Sequence, residues 1–336
     1  MKGVALRERS SAAIYRTSAV PSSAMIGTRF QSETRETPME EALRFDSAGL
    51  SLAGILHHPE GRPATDASRC AAIIVLQGFG GNKGTNVIVE TARLFARMGY
   101  YALRFDMRGC GESEGERGRV ICMEQVADAR SALDCLRQHP AIDPERIAVM
   151  GHSFGAAVAL YSAGTDERFA ACISSGGWGD GEAKFRRQHA GAEAWGRFSA
   201  MLDKGRQMKA RGETLMVPRF DIVPMPEHLR RNIAPGSIMA FPFDVVESMF
   251  GFRANDVVGR IAPRPLLLMH SASDSVTPTE QSIELFRHAG QPADLYLLSG
   301  VDHYMFAEGN TQVFDVLEGW LARHFPCGAQ SGKAAS

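Results

Sequence analysis

The chain of 336 residues has no apolar run approaching the length a bilayer span requires, so a membrane-spanning helix is not expected. Nor does one sign of charge dominate. With 37 Lys and Arg against 38 Asp and Glu, the formal net charge is -1. No long-range field favours nucleic acid or an anionic surface, and a small molecule is the expected partner. Cys70, Cys110, Cys122, Cys135, Cys172 and Cys327 form no Cys-x-x-Cys pair or other metal-ligand spacing. They are expected to be reduced thiols in a cytoplasmic protein, with no metal and no cofactor. Cys110 alone falls in a glycine-rich loop near candidate site residues, but nothing close in sequence would lower its pKa. Internal repeats are absent as well.

Residues 1 to about 38 lack hydrophobic periodicity and are rich in Arg, Ser and Thr. They are expected to be a disordered N-terminal extension. They have no continuous apolar core of the secretory kind, and organellar import is the alternative their composition leaves open.

What is present is an alternation of buried-strand and helix patterns. Leu43–Phe45 and Leu50–Leu56 alternate as an antiparallel pair across the turn signal Asp46-Ser47-Ala48-Gly49. Continuous apolar runs follow at Ala71–Leu76, Tyr101–Phe105, Ile147–Met150, Ala171–Ser175, Pro265–His270 and Asp294–Leu298, and several are separated by helical periodicity. This rhythm predicts an α/β fold with a mostly parallel sheet covered by helices on both faces. The expected core is 39–177 with 262–326. The rhythm stops over 178–261, which is too long for a plain loop and is broken by prolines. A mainly helical inserted cap is expected there. Residues 327–336 read as a disordered tail, and oligomeric state is not legible.

The densest chemical signal is Gly151-His152-Ser153-Phe154-Gly155 between the run ending at Met150 and an Ala-rich helical pattern. A serine on so sharp a strand-to-helix turn needs small neighbours two residues before and after it. Ser153 is therefore the candidate nucleophile. With this elbow, the loop Gln77-Gly78-Phe79-Gly80-Gly81 and the loop Asp106-Met107-Arg108-Gly109-Cys110-Gly111-Glu112-Ser113, the chain over about residues 42 to 325 resembles the α/β-hydrolase superfamily. It looks most like the serine-aminopeptidase-like and dienelactone-hydrolase-like esterase branch.

The resemblance implies the chain order nucleophile, acid, histidine. On this sequence that order maps to Ser153, Asp274 and His303, with Asp302 and Asp106 as rivals for the acid. It also implies an oxyanion hole from the backbone N–H groups of Phe79 and Phe154, and a structural role for Asp106 and Arg108. Gln77 stands where the superfamily usually has His, and Lys83 could face substrate or solvent. In the cap, Phe220 and Met225 are candidate substrate contacts, as is Tyr304 beside His303. The implied function is hydrolysis of a carboxylic ester of a small or medium substrate through an acyl-enzyme. C–C, thioester and amide or peptide hydrolysis on the same triad are the alternatives, and a non-catalytic ligand receptor is a further one.

Overall fold

The computed structural model describes residues 39–61 and 68–328. The expectations for 1–38 and 329–336 lie outside these residues. Strands β1 (Glu40–Ser47) and β2 (Leu50–His57) pair antiparallel, and their turn is made by Ala48 and Gly49 with φ of 53° and 80°. Next come β3 (Cys70–Leu76), α1 (Asn86–Arg97), β4 (Tyr101–Phe105), α2 (Cys122–Arg137), β5 (Ile142–His152), α3 (Phe154–Thr165) and β6 (Ala171–Ser175).

The segment after β6 holds α4 (Gly181–Gln188), α5 (Ala192–Lys209), β7 (Met216–Pro218), the single turn α6 (Arg219–Ile222), β8 (Ala240–Pro242) and α7 (Phe243–Gly251). The chain then returns through β9 (Leu266–Ser271), α8 (Glu280–His288), β10 (Ala293–Leu298) and α9 (Thr311–His324). Among the described residues no helix is long and apolar enough to cross a membrane.

Eight strands form one sheet in the order β1-β2-β4-β3-β5-β6-β9-β10, and it is parallel from β4 to β10. The apolar runs of β3, β4 and β6 are buried on both faces, as strands covered by helices must be. Helix α3 is apolar nearly all round and is enclosed by β5, β6 and α2. Each fully buried Val, Leu, Ile or Phe in these layers contributes about 1.5–3 kcal/mol. Strand order reverses around β3, so the ends of β3 and β5 open a crevice where α/β sheets bind ligands.

Three local differences from the sequence expectation have physical causes. The apolar run expected over Ile147–Met150 is extended back through Asp143-Pro144-Glu145 in β5, because an irregularity in its pairing with β3 absorbs the extra residues. Pro218, read as a breaker, ends the short β7, which pairs antiparallel with β8 across the 21 intervening residues 219–239. Helix α4 begins where Asp180 accepts a hydrogen bond from Ala183 N–H, a cap that its weakly apolar sequence hides.

Within α4, Lys184 is buried and its ammonium has no hydrogen-bond partner among the described residues. It lies 4.0 Å from the Phe185 ring centroid and 5.3 Å from that of Trp178. Burial pushes its pKa down to about 7. The unfolded chain therefore binds more protons than the folded one between pH 7 and about 10.5, so this lysine makes stability rise with pH across that window. Lys184→Met should flatten that slope and raise stability near pH 7 by about 2 kcal/mol, as apolar replacement of a buried charge can. Denaturant melts at pH 7 and pH 10 check this; equal slopes with pH in both proteins would contradict it.

Candidate active site

Ser153 sits between β5 and α3 with φ of 56° and ψ of -115°, a positive-φ conformation rare for a non-glycine residue. The motif's glycines explain how the chain tolerates this turn. A Cβ at Gly151 would lie 2.1 Å from the Gly155 carbonyl oxygen, and one at Gly155 would lie 2.4 Å from that of Gln77. Ser153 N–H donates to the Ser175 carbonyl at 2.8 Å, which ties the turn to the end of β6. The hydroxyl itself has no hydrogen-bond partner among the described residues; it lines an open cleft together with His303.

His303 follows β10, and its Nδ1 lies 2.8 Å from Asp274 Oδ2 in the loop after β9. Asp274 is held in turn. Its Oδ1 accepts from Val276 N–H at 2.8 Å and Thr277 N–H at 2.7 Å. His270 Nε2 lies 3.3 Å from Oδ2 and 3.0 Å from the Thr277 carbonyl oxygen, while His270 Nδ1 meets the Ser282 hydroxyl at 2.6 Å. Burial disfavours the charged carboxyl, but His303 and His270 outweigh it and hold Asp274 well below the usual carboxylate range.

Neither rival acid is bonded to the His303 ring. Asp302 accepts from the Ser275 backbone and hydroxyl and from the His303 backbone N–H, whereas Asp106 accepts from Lys83 N–H, Lys83 Nζ and Glu112 N–H. Arg108 is bound to Asp128 and Ser47. Thus Asp106 and Arg108 pin loops beside the cleft, and Lys83 is held by Asp106 and Glu112 instead of facing substrate.

Phe79 follows the end of β3 and Phe154 opens α3. Their rings lie 5.8 Å apart between centroids. Neither backbone N–H has a hydrogen-bond partner among the described residues, so both donors remain available beside Ser153. A Cβ on Gly78 would stand 3.8 Å from Ser153 Cβ, which shows how closely this loop approaches the serine. Gln77 donates to the Gly81 carbonyl at 2.8 Å and braces the loop from within.

Met225 and Tyr304 line the cleft, and the Tyr304 hydroxyl lies 3.9 Å from Met225 Sδ. Phe220 does not reach it. Its ring packs beneath the Arg230 guanidinium, 4.1 Å from the ring centroid, because the α6 turn directs it away from the cleft. Cys110 is buried, and burial pushes its thiol up to about 12, which leaves it unreactive at neutral pH. All six cysteines are free thiols. Among the described residues no cluster of His, Cys, Asp and Glu could hold a metal ion.

Three residues were not singled out from sequence. His270 supports Asp274 from the strand before it, and its spacing of four residues is the one available hint. His152 lies 4.9 Å from the His303 ring and is pushed down to about 3 by burial and by His303. Its ring nitrogens have no partner among the described residues. It is therefore a neutral imidazole in the cleft wall at neutral pH. The third, Arg219, enters the cleft from α6.

A parallel sheet flanked by helices, with an elbow serine and an Asp–His pair at its strand ends, defines the α/β-hydrolase class. Residues 67–219 match the family described as serine aminopeptidase, S33. Over 275 residues the chain is 26% identical to polyketide transferase grgF of Penicillium sp., covering 79% of this chain and 89% of that protein. The crystal structure of alpha/beta hydrolase GrgF from Penicillium sp. sh18 superposes with a TM-score of 0.70 at 22% identity, covering 85% of this chain and 99% of that one. Est1E from Butyrivibrio proteoclasticus with bound ferulic acid superposes with a TM-score of 0.61 at 19% identity, covering 84% and 99%. The chain has the α/β-hydrolase fold.

Proposed function

We propose that the protein hydrolyses carboxylic esters through an acyl-enzyme on Ser153. The observation that carries this reading is the meeting of Ser153, the His303–Asp274 pair and two unengaged backbone donors at one cleft. Ser153 Oγ attacks the ester carbonyl while His303 Nε2 accepts its proton. The oxyanion that forms is met by the N–H groups of Phe79 and Phe154, each worth about 3 kcal/mol to the transition state. His303 then gives the proton to the leaving alcohol. Water attacks the acyl-enzyme by the same route, returning free Ser153 and a carboxylic acid.

The segment 178–261 acts as a cap over this chemistry, because Arg219, Val223 and Met225 from it face the same cleft as Ser153. The likeness to a polyketide transferase supports acyl chemistry at this site. Turnover of short-chain 4-nitrophenyl esters is the direct test. Measurable hydrolysis is expected, together with stoichiometric labelling of Ser153 by a fluorophosphonate. A folded preparation without either would overturn the reading.

A further inference from the structure

Arg219 is buried in the cleft wall, only 7% exposed, and forms no salt bridge among the described residues. A guanidinium carries five N–H donors and remains charged at any ordinary pH. Here one arm is occupied: Nη1 donates to the Ile238 carbonyl at 3.0 Å. The group stands over the Phe79 ring, 5.6 Å from its centroid, on the same loop that offers the Phe79 N–H. A Cβ on Gly80 would stand 2.4 Å from the Phe241 ring and 3.2 Å from Nη1, so this glycine leaves room for that ring with the guanidinium beside it.

The ionisable groups with the strongest influence on Arg219 are Tyr304 and Cys110. Burial raises the pKa of both, which keeps them uncharged at neutral pH. Among the described residues lining the cleft, Arg219 is the one permanently charged side chain. A buried cation without an anion is costly, and removing that cost requires a charged group from outside the chain. Apart from Ser153, His152 and His303, the remaining polar lining, Thr85, Asn232, Ser237 and Tyr304, is neutral. One positive charge balances one negative charge, and the guanidinium fork matches a carboxylate. A phosphate dianion would keep half of its charge unmatched.

We infer that the substrate of the Ser153 site is an ester carrying a free carboxylate, which Arg219 binds. This rests on the ester-hydrolase reading and narrows it to anionic esters. Arg219 acts in substrate recognition and takes no part in bond making.

The test compares anionic esters with neutral esters of equal length, followed by proton release. One series, monoethyl glutarate and monoethyl adipate against ethyl valerate and ethyl hexanoate, places the carboxylate on the acyl side. The other, 3-carboxyphenyl butyrate against phenyl butyrate, places it on the leaving group. Wild type should prefer the anionic member of at least one pair by about 10-fold or more in kcat/KM, within the range of a charge-assisted contact. Arg219→Met should abolish the preference, and Arg219→Lys should retain part of it.

Equal rates within all three pairs in wild type would overturn the inference, as would equal losses on neutral and anionic esters in Arg219→Met. Neither result touches the hydrolase reading, which fails only if wild type cleaves no ester at all. Calorimetry on Ser153→Ala with the anionic ester that wild type prefers, a monoanion, tests the anion site without catalysis. Binding weakened about 10-fold or more by adding Arg219→Met supports it, and no binding to Ser153→Ala overturns it. The wild-type preference and this binding do not depend on the folding of an Arg219 variant.

Discussion

Ser153→Ala is expected to lower kcat for ester hydrolysis by about 10⁴-fold or more, with thermal stability close to that of the wild type. The loss is large because the hydroxyl is the atom that bonds to the acyl group. Without it the His303–Asp274 pair has nothing to activate except water, and the backbone donors of Phe79 and Phe154 supply the residual rate. Stability should change little for a local reason. The φ of 56° at residue 153 is imposed by the close approach of Gly151 to Gly155 and of Gly155 to Gln77, and alanine meets it with the same Cβ as serine. Steady-state turnover beside a thermal melt checks both statements. Retention of even a tenth of the wild-type kcat would remove Ser153 from the mechanism.

The second large effect is at the acid. Asp274→Asn should lower kcat by about 10⁴-fold while moving KM little, because an amide that donates to His303 Nδ1 stabilises the tautomer with its proton on Nε2. That tautomer cannot accept the Ser153 proton. Here the carboxylate also accepts from Val276 and Thr277 N–H and lies within reach of His270 Nε2. An asparagine oxygen can keep the two backbone bonds, which favours a folded variant whose NH₂ then faces the histidines. Asp302→Asn is the matched control. Asp302 Oδ1 accepts from the backbone N–H groups of Ser275 and His303, bonds an asparagine oxygen can keep, so its variant should keep kcat within about threefold. A larger loss from Asp302→Asn than from Asp274→Asn would reverse the assignment of the acid.

The parts of this site that could be read from sequence are those governed by local sterics or by strand ends. Gly151 and Gly155 constrain one another across four residues, so the elbow announces itself within a pentapeptide. Asp274 and His303 follow strongly apolar strands, and ligand sites of parallel sheets lie beyond such ends. Phe220 and Met225 belong to the same short stretch, yet Met225 alone of the two lines the cleft. The direction of a single helical turn is set by what packs against it, which no periodicity over four residues encodes.

By itself, the sequence determined the alternation of buried strands and helices, the serine turn and the interruption after β6. Each depends on the shape and polarity of residues close together in the chain. Tertiary structure alone decided that His270 braces Asp274 from β9, that His152 is buried neutral beside His303, and that, among the described residues, Lys184 lies unpaired among aromatic rings and Arg219 enters the cleft without a counter-ion. Those facts depend on groups far apart in sequence and on how fully water is excluded around them. Burial, pairing and electrostatic environment are consequences of packing, and so they emerge only once the chain has folded.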